Sequence, residues 1–307
     1  MPELPEVETV VRGLSRHIVG QKINHVEIKN ARSFLWSTKV KPTAVLGHTV
    51  KSVSRRGKGI IINLSKDYSL LIHLKMTGQL IYIPSLRGGK PTKQSRLPRY
   101  ARNDKGRLNF GHPDKNFEEE MPSKHTRVWL ELSKGTLYFN DQRKFGWVKV
   151  TATKDIPQDK FIKTLGIEPF DKKFTSAFLW DAIQHRPRSN IKAVISDQKV
   201  VAGLGNIYSD EALFYSHLRP TRLGKTITKP ETTKLHSAIQ KVLRLGIKHS
   251  GTSIANYKDA EGLPGNMQKY LAVYDRKGLP CHGTCKGKVE KIRLNGRGTH
   301  FCPACQE

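Results

Sequence analysis

The chain opens Met1-Pro2-Glu3-Leu4-Pro5-Glu6-Val7-Glu8-Thr9. A small second residue such as Pro2 permits removal of Met1, and the chain then begins with a secondary amine. An α-amino group titrates at about 7.7–8.0, against about 10.4 for a lysine side chain. A useful fraction is therefore neutral and nucleophilic near pH 7 without any burial. Condensed with an aldehyde, a secondary amine gives an iminium whose positive charge needs no proton, which makes it an electron sink for elimination chemistry. Glu3 is the next residue, so its carboxyl group can shuttle protons at the same centre. The same residues also suit a helix opening, with Pro5 in the first turn and Glu3, Glu6 and Glu8 favoured by the helix dipole. Taken alone, this stretch leaves both readings open.

The four cysteines are confined to the last segment. Cys302-Pro303-Ala304-Cys305 is a C-x2-C pair, Cys281-His282-Gly283-Thr284-Cys285 is C-x3-C, and sixteen residues separate them. Both spacings suit one tetrahedral zinc ion. Two close pairs argue for metal ligation in a reducing compartment rather than a disulfide framework. A two-residue gap counted back from Cys285 lands on His282, so the fourth ligand is Cys281 or His282. Thiolate is the softer donor and three cysteines already make a sulfur-rich site, which favours Cys281.

Lys plus Arg number 54 against 26 Asp plus Glu, a formal charge of +28 over 307 residues. That excess points to a polyanionic partner, of which nucleic acid is the commonest, and names no activity. No apolar run is long enough to span a bilayer and no apolar signal segment follows Met1, so a cytoplasmic, nucleoid-associated protein with no membrane partner is expected.

The elements that must position these groups follow from periodicity. Leu4, Val7, Val11, Leu14 and Ile18 recur at helical spacing up to Gly20, and such a helix would hold the N-terminus against a core. The period then changes. Val26 and Ile28 alternate with polar residues, Ile60-Ile61-Ile62 is a short apolar run, and Leu70, Ile72 and Leu74 alternate with Leu71, His73 and Lys75. Val128 to Leu132 and Thr136 to Phe139 flank Ser133-Lys134-Gly135 as a hairpin. Residues 1–150 thus form a strand-rich domain with one leading helix. Between about 84 and 122 the pattern dissolves into Arg87, Lys90, Lys93, Arg96, Arg99, Arg102, Lys105 and Arg107 among glycines and prolines, ending in Glu118-Glu119-Glu120. This reads as a solvated insertion or an extra nucleic-acid-contacting arm. Helical patterns fill 151–265, marked by Phe174, Ala177, Phe178 and Ile183, then Ile191, Val194 and Ile195, then Leu235, Ile239, Val242, Leu243 and Ile247. A short segment, 266–307, carries the cysteines.

Five motifs in order resemble those of the formamidopyrimidine-DNA glycosylase family, which includes endonuclease VIII-type enzymes. They are the Pro-Glu-Leu-Pro-Glu start, Arg55-Arg56-Gly57-Lys58, His73-Leu74-Lys75-Met76-Thr77-Gly78, Asp141-Gln142-Arg143-Lys144-Phe145-Gly146, and Gln198 to Glu211 followed by the cysteines. The resemblance implies an α+β multidomain protein: an N-terminal β-sandwich with flanking helices, a helical helix–two-turns–helix domain and a C-terminal zinc finger, with damaged double-stranded DNA bent in a basic cleft. It implies a monomeric bifunctional glycosylase and abasic-site lyase. Pro2 is then the nucleophile, Glu3 the proton shuttle, Lys58 a catalytic-pocket lysine that contacts phosphate, and Glu6 a support for the pocket. Met76, Arg143 and Phe145 would fill the gap left by an extruded nucleotide. His73, Lys144, Asn206 and Arg297 would contact DNA, and Cys281, Cys285, Cys302 and Cys305 would hold one structural zinc. The intact Met76, Arg143 and Phe145 set favours the oxidised-purine branch over the oxidised-pyrimidine branch. A non-catalytic nucleic-acid-binding zinc protein would share the charge and the finger. From the residues alone, a lysine on a glycine turn reads as exposed, and Phe145 reads as core.

Overall fold

The helical stripe at the N-terminus forms α1 (Leu4–Ile18). Glu3 is its N-cap and makes a reciprocal capping box with Glu6, Pro5 sits in the first turn, and Gly20 turns the chain away at φ +81°. Leu4, Val7, Val10, Val11, Leu14 and Ile18 are buried on its inner face. The computed structural model describes residues 1–36, 40–85, 107–111, 120–252, 265–283 and 285–307. They fall into two compact units, Met1–Ile162 with His249–Asn266, and Lys163–Lys248 with Met267–Glu307.

In the first unit the strands are β1 (Ile23–Ile28), β2 (Phe34–Trp36), β3 (Val50–Arg56), β4 (Gly59–Leu64), β5 (Tyr68–His73), β6 (Gly78–Pro84), β7 (Leu108–Gly111), β8 (Thr126–Leu132), β9 (Gly135–Asp141) and β10 (Trp147–Ala152). One sheet has the order β1-β8-β9-β6-β7 and the other β2-β10-β5-β4-β3; β2 and β10 pair in parallel, and the other strand pairs among the described residues are antiparallel. Alternate residues of the two sheets meet in one core. Ile60, Ile62, Leu70 and Ile72 come from one sheet, Leu80, Phe110, Val128 and Phe139 from the other, and Leu14 and Ile18 of α1 join them. Each such side chain contributes roughly 1.5–3 kcal/mol by leaving water. This is the expected β-sandwich.

Two expectations need correction. The stretch 84–122 is not patternless throughout, because Leu108–Gly111 forms β7, paired with β6 at the sheet edge, and Arg107 beside it is buried. Four residues among many cations are too few to show a period. The remaining cations named in that stretch, from Arg87 to Lys105, lie outside the described residues. Strand β5 is also buried on both faces, not one. Its second face is covered beside His73 by Phe161, whose ring lies 5.0 Å from the imidazole and 5.7 Å from Trp147. A single sequence stretch cannot announce such a cover from a distant segment.

A one-turn helix α2 (Lys160–Lys163) stands at the boundary of the units. The second unit contains α3 (Ser176–Gln184), α4 (Ile191–Ser196), α5 (Asn206–Tyr215), α6 (Lys229–Lys248) and the hairpin β11 (Glu290–Leu294) and β12 (Arg297–Phe301). Thr175 and Asn190 cap α3 and α4 through their side chains. Helix α5 shows no apolar stripe because it is surrounded: every residue from Tyr208 to Phe214 is buried, Asp210 and Glu211 included. The Glu211 carboxylate accepts the amides of Ala272, Val273 and Tyr274 at 2.8–3.0 Å, and burial raises its pKa to about 6. Asp210 pairs with the buried Lys192 ammonium at 2.7 Å and accepts the His300 amide at 2.9 Å. The two units therefore cut the chain differently from segments 1–150, 151–265 and 266–307, since the finger joins the helices through these carboxylates.

Removing one partner of a buried ion pair strands the other charge, at a cost of about 3–5 kcal/mol. Asp210→Ala should lower unfolding stability by that amount in denaturant titration, whereas Asp210→Leu combined with Lys192→Met should recover most of it. A single-variant loss below about 1 kcal/mol would show that the pair does not hold the hairpin to α4 and α5.

Candidate catalytic N-terminus, nucleic-acid contacts and metal centre

In the first unit, the start of α1 carries the residues with nucleophilic potential. Pro2 is buried while Met1 is exposed. Glu3 and Glu6 are both nearly inaccessible, and Glu6 holds the chain end: its Oε2 accepts the Glu3 amide at 2.8 Å and its Oε1 accepts the Thr252 amide at 2.8 Å. The helix-opening reading and the chemical one are thus compatible, because the capping box is what fixes the first residues. Lys58 lies on the two-residue turn between β3 and β4 and is only 4% exposed, so it is not the solvated lysine that a glycine turn suggests. Arg55 on the same hairpin pairs with Glu8 of α1 at 2.8 Å, which ties this turn to the helix. His73 ends β5, and its Nδ1 accepts the Lys75 amide at 3.0 Å, leaving the ring proton on Nε2. Burial, then the charges of Lys75 and Lys58, lower its pKa to about 3. The imidazole is therefore a neutral hydrogen-bond donor at physiological pH.

Met76 and Phe145 stand out by exposure, at 42% and 56%. Phe145 is not core. The Arg143 guanidinium carbon sits 4.9 Å from the Phe145 ring centroid, and Lys144 between them is exposed with φ +58°. Lys75, just before Met76, has φ +52°. A left-handed non-glycine residue costs roughly 1–2 kcal/mol, and such strain persists where surroundings over-determine it, often at functional sites.

In the second unit, Gln198 closes the turn before α5: its Oε1 accepts the Gly203 amide at 3.0 Å and its Nε2 donates to the Leu204 carbonyl. Asn206 opens α5, and the positive end of a helix dipole suits a phosphate. Its side-chain Nδ2 donates to the Gly298 carbonyl at 2.9 Å, and the Lys192 ammonium reaches the Thr299 hydroxyl at 2.8 Å. Both contacts fix the start of β12, where exposed Arg297 leaves the hairpin turn. Thr252, Lys192, Asp210 and Glu211 escaped sequence reading, because a buried polar residue is identified only by its partner.

The sulfur atoms of Cys281, Cys285, Cys302 and Cys305 all lie within 4.8 Å of one another. A tetrahedron with Zn–S bonds of about 2.3 Å has edges of roughly 3.8 Å, and the sulfurs of Cys281–Cys305 and Cys285–Cys302 are 3.6 and 3.5 Å apart. The Gly283 amide donates to the Cys281 sulfur at 3.2 Å, as expected around a thiolate ligand. Gly287 permits the closure: a Cβ there would lie 2.9 Å from the Ala304 Cβ and 3.1 Å from the Cys302 sulfur. His282 is exposed and outside the cluster. Four convergent thiols fit one structural zinc ion.

Three family models match the chain in order: the formamidopyrimidine-DNA glycosylase N-terminal domain over residues 1–148, the H2TH domain of the same family over 165–258, and a zinc finger found in FPG and IleRS over 278–307. A formamidopyrimidine-DNA glycosylase of Desulfitobacterium hafniense is 38% identical over 307 residues, covering all of both chains. The chain belongs to the formamidopyrimidine-DNA glycosylase family. Among solved structures of the family, a Lactococcus lactis variant in complex with Fapy-dG-containing DNA is similar at a TM-score of 0.81, with 31% identity and full coverage of both chains. The Lactococcus lactis protein in complex with abasic-site-containing DNA is similar at 0.80, with 31% identity over 99% of each chain. Membership places the family's zinc-finger model on the four cysteines, including the C-x3-C pair. Among the described residues, no helix is long and apolar enough to cross a membrane.

Cys281→Ala should therefore lower zinc content to well below one per chain by metal analysis, while His282→Ala should retain the full complement. The reverse pattern would assign the fourth ligand to His282.

Proposed function

We propose that this family member is a base-excision-repair DNA glycosylase that removes oxidised purines, including formamidopyrimidines, and cuts the strand by abasic-site lyase chemistry. The observation that carries the reading is the buried Pro2-Glu3 start, held by the Glu6 carboxylate, in a chain whose family relatives are seen with Fapy-dG and abasic DNA. With Met1 removed, about a tenth to a fifth of an ordinary α-amine is neutral at pH 7. The Pro2 nitrogen attacks C1′ as the glycosidic bond breaks and the base departs with the bonding electrons and a proton. Ring opening, with protonation of the sugar oxygen by Glu3, leaves an iminium. Loss of a C2′ proton then drives electrons toward the iminium and expels the 3′ phosphate. A second elimination releases the 5′ phosphate. Lys58 supplies positive charge within the same unit, and neutral His73 donates from Nε2 to a phosphate oxygen.

Met76, Arg143 and Phe145 are assigned to the void left by the extruded nucleotide. Unstacking a base costs a few kcal/mol, which apolar wedges partly recover. Two apolar side chains kept in water, with a guanidinium stacked on one of them, suit that role and no core role. Lys144, the α5 amides at Asn206 and exposed Arg297 supply backbone and duplex contacts that position DNA without reading sequence. The three segments, 1–150, 151–265 and 266–307, then carry the amine, the backbone-binding turn and the finger. The zinc fixes the finger, and the chemical steps proceed on protein groups. The working form is a monomer in the cytoplasm, at the nucleoid.

Borohydride should trap a covalent adduct through the Pro2 nitrogen on abasic DNA, and the intact mass of active protein should lack methionine. Glu3→Gln should cut excision by about 10²–10⁴-fold, the usual worth of a positioned proton donor, while lesion binding persists. Full activity with Met1 retained would sink the mechanism.

Phe145→Ala should change unfolding stability by no more than about 0.5 kcal/mol, as an exposed substitution does, yet weaken discrimination between lesion and undamaged duplex about tenfold. Cooperative unfolding of that variant would mean that Phe145 is structural.

A further inference from the structure

Nothing about an exposed methionine, arginine and phenylalanine keeps them in one register. Met76 sits on the turn between β5 and β6, and Arg143 and Phe145 on the loop between β9 and β10, 67 and 69 residues away in sequence. We propose that Asp141 and Thr77 are positioning residues that lock these two loops into a single wedge, an inference that rests on the glycosylase reading above. Asp141 ends β9 and is 1% exposed. Its Oδ1 accepts the Thr77 hydroxyl and the Arg143 amide, the latter at 3.2 Å. Its Oδ2 accepts the Gly146 amide at 2.6 Å. The Arg143 amide is shared with the Thr77 hydroxyl oxygen, also at 3.2 Å. One carboxylate thus grips both ends of the loop that carries Arg143 and Phe145, and through Thr77 the residue next to Met76.

The carboxylate is itself held. Asp141 is the register partner of Gly78, its amide donates to the His125 carbonyl at 3.0 Å, and its carbonyl accepts from Arg127 Nε at 2.8 Å. The Met76 turn is closed by the Gly78 amide on the Leu74 carbonyl at 2.8 Å. A Cβ at Gly146 would meet Phe139 Cζ at 2.9 Å, the His73 carbonyl at 3.0 Å and Asp141 Oδ2 at 3.1 Å, so glycine is what lets this amide approach the carboxylate so closely. A local turn cap would need only Arg143 and Gly146. Beyond the β6–β9 pairing, the Thr77 hydroxyl couples the loops through side chains, donating to Asp141 64 residues away and accepting from the Arg143 amide. Asp141→Asn would turn one acceptor into a donor facing an amide, and Thr77→Val would remove the hydroxyl while keeping its shape.

The readout separates wedge placement from chemistry. Borohydride trapping is measured on an abasic site in duplex DNA, where a stack must be refilled, and on the same abasic site in a single strand, where none exists. The duplex-to-single-strand ratio of trapping rates should fall about tenfold in Asp141→Asn and in Thr77→Val, and stay within twofold of the parent in Thr77→Ser. A 2-aminopurine placed opposite the site should report slower unstacking in the first two variants only. Unchanged ratios in folded Asp141→Asn and Thr77→Val would overturn the proposal, as would a Thr77→Ser loss equal to that of Thr77→Val. If Asp141→Asn fails to fold, the Thr77 pair decides alone. A parent protein that traps neither substrate would instead overturn the glycosylase reading, so the two failures are distinct.

Discussion

A chain terminus is ordinarily the least ordered part of a domain, yet the chemistry assigned to this chain depends on its terminal nitrogen. The constraint is met by one buried carboxylate. Glu6 accepts the Glu3 amide on one oxygen and the Thr252 amide on the other, so the first residues are fixed both to their own helix and to a segment nearly 250 residues away. The apolar stripe of α1 sets the helix on the sandwich, but packing alone leaves the residues before the first turn unsatisfied. Glu6 removes that deficit by satisfying the amide of Glu3, which is where the proposed chemistry needs the chain end to be fixed.

The same device recurs wherever a functional segment must be placed. Asp141 accepts the Arg143 and Gly146 amides, Glu211 accepts those of Ala272, Val273 and Tyr274, and Asp210 accepts that of His300 while neutralising Lys192. Charge-assisted hydrogen bonds to backbone amides are stronger than neutral ones and directional, so each carboxylate fixes geometry as well as charge. In a chain with 26 acidic residues against 54 basic ones, these four carboxylates are turned inward onto backbone amides and Lys192, so the large basic excess is left to the rest of the chain. That division suits a protein that must hold a polyanion without repelling it.

Legibility in the sequence followed the same line. Helix α1, the β8–β9 hairpin and α6 were visible because one face of each is apolar and the other polar, and the β4 run because it is continuously apolar, being buried on both faces. Helix α5 and the outer face of β5 were not, because both are surrounded and their periodicity is erased. Strand β7 was hidden by its length and by cations on its flank. The amine, the cysteine pairs and the wedge residues were legible as motifs. The residues that hold them were not, since Asp141, Thr252 and Asp210 gain meaning only from partners far along the chain.

The finger shows how far motif spacing can bend without losing its chemistry. An extra residue between Cys281 and Cys285 lengthens one knuckle, yet the four sulfurs still converge because Gly287 lets the backbone close on them. What the finger must deliver is a defined place for Arg297, and metal ligation alone cannot supply it, because the hairpin turn lies well away from the cysteines in sequence. The remaining constraint comes from outside the finger: Lys192 and Asn206 both reach the backbone carbonyl of Gly298, at 3.3 and 2.9 Å. Zinc therefore closes the base of the hairpin while a buried lysine and the first residue of α5 fix its tip. If Arg297 enters the duplex as proposed, fixing the backbone beside it removes part of the conformational entropy that an otherwise mobile hairpin would lose on binding, while its exposed side chain stays free to adjust.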